Sequence, residues 1–337
     1  MTGYHLLTSQ SGTDRAFFLN PGPRCGFQSR ECLLKERKAT KAGLAVATNP
    51  GNSLMTRIKH VASKREGAIL RIRFVDTERR NALSAAFKEE LAKAVDVARN
   101  DERVKVVYLT GSGPAFCAGG DLEVLRNGSD PWSVYRRFSD MEKWLMPLMT
   151  LAKPVVVGVN GYAVGGGIGL ALTGDLVVAA ESAKFVPGFF RLGVVPDIGT
   201  MYSLPRLIGL ARAKQFLFSG ESWSAQEALQ QGLVCKVVSE NELDDECMRR
   251  AKALVAGPAE AIGLAKRIMA VTFETGLAEM LMIEGLGQSL SMSSNEFRDR
   301  LSALLDRKSP LSDGTRDRGR TIKRAAMKPR LKNSRRK

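Results

Sequence analysis

The chain has 337 residues, 44% of them hydrophobic, and a formal net charge of +16. That length allows one large domain or two ordinary ones, and that apolar share suits a globular fold rather than a disordered or fibrous chain. The charge is uneven: residues 1–66 carry +7, residues 316–337 carry +10 and the stretch between carries −1, so a nucleic-acid-binding reading rests on the two tails alone.

Residues 1–66 read as an irregular basic extension, with Gly, Pro, Ser and Thr scattered through it. Its few acids fit an organellar transit segment. Met55, ahead of TRIKHVASKREGAILRIRF, reads instead as a natural start, with residues 1–54 upstream of it. From Ala68 an α/β alternation begins. AILRIRFV (68–75) predicts a strand, Ser84 to Asn100 an amphipathic helix capped by Ser84, and Val104 to Leu109 a buried parallel strand. Asp130 to Leu151 predicts one long helix broken by Pro147, and Val155 to Val159 another strand. No charged residue occurs between Lys153 and Asp175, but seven glycines interrupt that stretch. Strand, turn and helix therefore explain it better than a membrane span. LVVAA after Asp175 is a further strand; helices follow from Leu204, including one capped by Ser224, then Glu240 to Ala256 and Pro258 to Ala303. The pattern predicts an α/β core of ββα repeats over 67–255, a helical region over 256–315 and a disordered basic tail over 316–337.

Five cysteines (Cys25, Cys32, Cys117, Cys235, Cys247) show no CxxC or zinc spacing, and no secretory apolar segment precedes them. A reducing, cytoplasmic setting is expected. Both histidines, His5 and His60, fall in the stretch read as an extension. That leaves the core without a Ser-His-Asp or Cys-His unit and without a histidine metal site, so acid–base chemistry falls to a carboxylate. Cys117 reads as a small packing residue. Two glycine clusters, Gly119-Gly120 and Gly165-Gly166-Gly167, allow a ligand to approach the backbone closely. Neither is a phosphate loop, since no Lys-Ser/Thr follows and no GxGxxG opens a helix.

AFCAGGD (115–121) together with NGYAVGGGIGLALTGDLVVAAESAKFVPGFFRLGVVPD (160–197) resembles the enoyl-CoA hydratase/isomerase (crotonase) family. The likeness extends over about residues 67–315, through SAQEALQQGLV and SNEFRDRLSALLDRKSP. It implies a crotonase-like spiral of ββα repeats with a C-terminal helical oligomerisation region, a homotrimer or hexamer, and an acyl-CoA thioester of fatty-acid or aromatic-acid metabolism as substrate. It implies no metal and no cofactor beyond the coenzyme A carried by the substrate. By the same resemblance, the backbone N–H groups of Gly120 and Gly166 form an oxyanion hole. Arg80, Asn81, Ala82, Ala118 and Asp121 meet the CoA portion, and Phe189 and Phe190 line the acyl pocket. The positions of the hydratase glutamates fall on Gly169 and Phe189, neither of which transfers a proton. Glutamates restored there are expected to add hydration where the backbone follows the family's course. Asp197 matches the carboxylate of the 1,2-epoxyphenylacetyl-CoA isomerase type, which implies isomerisation with Asp197 as proton shuttle. Two alternatives stand beside it: a hydratase using Asp197 and a positioned water, and an RNA-binding or non-catalytic family member. Nucleic-acid binding is not expected, because the tails hold almost no aromatic residues for stacking. The family run commonly has two glycines before the threonine, where this chain has Ile198-Gly199-Thr200. That departure is expected to displace Asp197 slightly.

Overall fold

The computed structural model describes residues 59–126 and 130–306, all within one compact unit. The expectations for residues 1–58 and for the tail 316–337 lie outside the described residues. The described chain begins on β1 (Val61–Glu66), turns at Gly67 and returns antiparallel as β2 (Ile69–Phe74). β1 lies inside the stretch read as an extension, so the boundary expected at residue 67 moves upstream. An edge strand carrying Ser63, Lys64 and Arg65 on its exposed positions has the composition of a solvated tail, which is why its pairing was hidden. α1 (Ala85–Asn100) follows the predicted cap: the Ser84 Oγ accepts the Phe87 N–H at 3.2 Å.

Three units then each give one strand to a large sheet and the next to a small one. β3 (Val106–Gly111) and β4 (Ala115–Cys117) are followed by α2 (Leu122–Arg126), α3 (Pro131–Ser139) and α4 (Met141–Met149). β5 (Val155–Val159) and β6 (Tyr162–Val164) lead into α5 (Gly166–Ala171). β7 (Leu176–Ala180) and β8 (Lys184–Val186) lead through a 3₁₀ turn (Phe190–Leu192) to α6 (Thr200–Ile208) and α7 (Leu210–Ser219). The chain closes with β9 (Trp223–Ser224), α8 (Ala225–Gln230), β10 (Lys236–Val238), α9 (Leu243–Ala256), α10 (Ala259–Met269), α11 (Leu277–Ser293) and α12 (Asn295–Asp306). The large sheet runs β1-β2-β3-β5-β7-β10 and the small one β4-β6-β8-β9. This is the expected spiral of ββα units.

The expected long helix over 130–151 is two helices, and the break falls at Asp140 rather than at Pro147. α4 buries Trp144, Leu145 and Leu148, while α3 buries none of its residues. Packing therefore carries α4 through its proline despite the missing N–H. On one face of the large sheet Phe74 meets Phe87 and Phe116 at ring distances of 4.8 and 5.3 Å. On the other, Tyr108, Val156 and Val178 pack under Cys247 and Ala251 of α9. Each such buried apolar side chain contributes about 1.5–3 kcal/mol, and the two layers together fix the strand ends that carry the site.

Candidate active site

β4, β6 and β8 are parallel neighbours in the small sheet, so the loops that leave them emerge side by side. The loop after β4 carries Gly119 and Gly120, the one after β6 carries Gly165 and Gly166, and the one after β8 carries Phe189 and Phe190. Gly119 has φ +81, and a Cβ there would stand 2.5 Å from the Val164 carbonyl oxygen and 3.4 Å from the Gly166 nitrogen. Only glycine brings the first loop this close to the second. Gly166 is the first residue of α5, where a backbone N–H has no intrahelical acceptor. Among the described residues no protein acceptor takes the N–H of Gly120 or of Gly166. The two donors named from the sequence thus lie on adjacent loops, both unengaged.

The loop before α1 zips onto the same place. Ala118 donates its N–H to the Arg80 carbonyl at 3.0 Å, and Leu83 donates to the Gly119 carbonyl at 2.8 Å. Arg80 and Asn81 both take left-handed backbone angles, φ +51 and +58. Arg80 is exposed, Ala118 is half-buried and Ala82 is buried beneath the loop. Asn81 turns inward: its Nδ2 donates to the carbonyls of Ser112 at 3.0 Å and Ala115 at 2.8 Å, and its N–H donates to the Asp76 carbonyl at 2.7 Å. Its side chain ties the two loops together instead of facing a ligand. Asp121 is likewise engaged: Oδ1 accepts the Glu123 N–H at 3.0 Å and Oδ2 lies 3.4 Å from the Arg79 guanidinium. His60, assigned to the extension by its sequence position, belongs to the folded part, with Nδ1 2.7 Å from Asp76 Oδ2. It anchors the base of the Arg80 loop from β1's side.

Phe189 is 5% exposed, and its ring lies 3.6 Å from where a Cβ on Gly165 would be. Phe190 is exposed and meets Phe218 edge-on at 5.5 Å. Asp197 comes to the middle of this arrangement: a Cβ built on Gly166 would be 3.2 Å from its Oδ1. The carboxylate is half-buried and, apart from its own N–H, makes no hydrogen bond or ion pair among the described residues. Burial pushes its pKa above the ordinary aspartate range, while the Lys88 charge and its own N–H pull the other way. The Cys117 thiol beneath it is pushed up to about 12 by burial, consistent with a packing role.

Gly169 corrects one expectation. A Cβ there would lie 2.2 Å from the Ile198 carbonyl oxygen and 2.7 Å from the Thr200 Oγ1, so a glutamate cannot be placed at 169 while the 197–200 turn stays where it is. Ile198 itself holds φ +49, a left-handed backbone that glycine adopts at lower cost. Of the further carboxylates near the site loops, Glu123 is exposed beside Arg79 and Asp140 is bonded to Lys143. Lys88 escaped the sequence reading, although a signal existed. It stands at i−3 and i−7 from Leu91 and Val95, on the buried stripe of α1, where a charged residue is out of place.

Residues 64–312 match the sequence profile of the enoyl-CoA hydratase/isomerase family. The chain is 33% identical over 261 residues to the 1,2-epoxyphenylacetyl-CoA isomerase of Escherichia coli (strain K12), covering 76% of this chain and 99% of that one. It is 36% identical over 231 residues to a protein of Rhodobacter capsulatus named "Probable enoyl-CoA hydratase", covering 68% and 88%. Among solved structures, an enoyl-CoA hydratase/isomerase from Cupriavidus metallidurans CH34 superposes with a TM-score of 0.71 at 31% identity, covering 77% of this chain and 98% of that one.

Proposed function

Since the chain belongs to the enoyl-CoA hydratase/isomerase family, and so to enzymes of crotonase fold acting on CoA thioesters, we propose that it is an isomerase of that group. Asp197 takes a proton from one carbon of the acyl chain, the N–H groups of Gly120 and Gly166 hold the enolate oxygen, and Asp197 returns the proton to another carbon. Each such donor typically contributes roughly 3–4 kcal/mol to an oxyanion-like transition state. A 1,3-proton shift is redox-neutral and adds nothing to the substrate, so the reading needs no metal and no cofactor beyond the substrate's own coenzyme A.

One observation carries this reading. The place of a side chain at Gly169 is filled by the Ile198 carbonyl, and the loop that fills it is the one that presents Asp197 beside Gly166. The site thus offers one carboxylate between an apolar wall and two free N–H groups. Hydration through Asp197 and a positioned water is the second reading, supported by the name of the R. capsulatus relative. We also propose assembly as a trimer or hexamer, supported by Leu281, Leu286 and Leu290 standing exposed on α11 beside a hollow of about 800 Å³ between α10, α11 and α12. A cytoplasmic setting is supported by free Cys117, Cys235 and Cys247; no helix among the described residues is long and apolar enough to cross a membrane. Proton NMR of a panel of CoA thioesters in D₂O tests the reaction. Deuterium should enter the acyl chain with double-bond migration; a panel returning only hydroxyacyl products would establish the hydratase instead.

A further inference from the structure

Leu83 touches both of the loops that carry the free N–H groups. Its own N–H donates to the Gly119 carbonyl at 2.8 Å, and that carbonyl belongs to the same trans peptide as the Gly120 N–H. In such a peptide the C=O and N–H point in opposite directions, so the bond to Leu83 fixes the aim of the first donor. The side chain reaches the second: Cδ1 lies 3.1 Å from the point where a Gly166 Cβ would stand. Ile198 Cγ1 at 2.8 Å and Asp197 Oδ1 at 3.2 Å border the same point. One carboxylate oxygen and two apolar side chains therefore crowd a single glycine.

Both apolar side chains are buried, Leu83 at 5% and Ile198 at 3% exposure. On the side of Gly166, then, the carboxylate oxygen is bordered by hydrocarbon, and it accepts no hydrogen bond from another residue among the described residues. A water held in place needs about two to four polar partners, and neither side chain supplies one. Ile198 is part of the turn that carries the base, with φ +49, so changing it also changes that backbone. Leu83 belongs to a separate segment ahead of α1, and only its side chain meets the group around Gly166.

We infer that Leu83 determines the reaction specificity of the site: its side chain fills the space beside Asp197 that a base-bound water would need, so the carboxylate exchanges protons with carbon alone. This rests on the reading of Asp197 as proton shuttle. In hydration the carboxylate takes a proton from water as the water oxygen bonds to C3 of a 2-enoyl thioester. The C2=C3 electron pair passes to the thioester carbonyl as an enolate, and the carboxylate returns its proton to C2. These steps use the same base and the same two N–H groups as migration, and differ in having a water at hand. A shorter side chain at 83 opens room for it.

The test offers a 3-enoyl-CoA and, separately, a 2-enoyl-CoA to the full-length wild type, Leu83→Ala, Leu83→Val, Leu83→Met, Asp197→Asn and the double variant Leu83→Ala/Asp197→Asn. The ratio of hydration to migration should rise by about tenfold in Leu83→Ala, the scale on which missing methylenes in an apolar pocket alter selectivity. Leu83→Val withdraws Cδ1 with a smaller cavity, and it should raise the ratio even where the alanine variant fails to fold. Leu83→Met, apolar and of similar volume, should keep the wild-type ratio. Slower migration with the ratio unmoved in the shortened variants would overturn the inference and leave Leu83 a packing residue. Hydration that persists in the double variant would also overturn it, since another group would then be activating the water. Asp197→Asn separates the two layers of the argument. If it is inactive and the ratio does not move on shortening Leu83, only the role of Leu83 falls. If it retains wild-type migration, the shuttle falls and takes the Leu83 role with it.

Discussion

Ile198 concentrates the conflict between packing and backbone at this site. A β-branched residue at φ +49 sits in the left-handed region at a cost of about 1–2 kcal/mol, yet its side chain is 3% exposed and packs against Gly166. Replacement by alanine loses the burial and keeps the unfavourable backbone; replacement by glycine loses the burial and relieves the backbone. Chemical denaturation should find Ile198→Gly more stable than Ile198→Ala by about 1 kcal/mol, the reverse of the order in a helix or strand. Asp197 carries a second tension. Because burial raises its folded pKa above the unfolded value, the folded state binds more protons between the two, and stability falls as pH rises through that window. Asp197→Asn keeps the shape and removes the charge. Turnover should drop by about 10²–10⁴-fold with thioester binding retained. Its melting temperature should match or exceed that of the wild type at neutral pH, with the gap closing in acid. An Asn variant that keeps its turnover would return Asp197 to the role of a turn residue. Asp197 could be singled out from the sequence because a motif frames it. The inward turn of Asn81 could not, because it depends on a left-handed backbone and on two carbonyls about thirty residues away.

The segments around the site work as interlocking pieces. α5 has glycine at 169 so that the 196–200 turn can lie against it, with the Ile198 carbonyl where a side chain would begin. Gly169→Ala should therefore destabilise the protein by about 1–3 kcal/mol, as an overpacked core position does, and slow migration by shifting Asp197. Gly169→Glu combined with Phe189→Glu should yield no hydratase, a result read from denaturation midpoints and product ratios. Efficient hydration by that double variant would mean that the turn moves aside at little cost. Glycine spacing and family motif exposed this pair of loops in the sequence; what they could not expose was which backbone atom fills the gap. The helices show the same limit. The Ser84 cap was readable because capping is local. The division at Asp140 was not, because burial of Trp144, Leu145 and Leu148 overrides the local signal of Pro147.

At the scale of the molecule the spiral of strand pairs was legible from the α/β alternation, while its first edge was not. β1 pairs with β2 along all six of its residues, and His60 just ahead of it meets Asp76 under the Arg80 loop. A chain starting at Met55 should keep wild-type unfolding and activity. One starting at Gly67 lacks β1, exposes the β2 edge to association and should melt at lower temperature and aggregate on heating. Equal melting of the two would show that β1 contributes nothing to the sheet. On this reading the single carboxylate beside the two free N–H groups moves protons and does not add water. The most direct measurement offers the unmodified protein a 3-enoyl-CoA and, separately, a 2-enoyl-CoA, and compares initial rates of migration and hydration. Migration should be faster by at least about a hundredfold, the usual worth of a positioned acid–base group; hydration of the 2-enoyl-CoA at a rate equal to migration would contradict it.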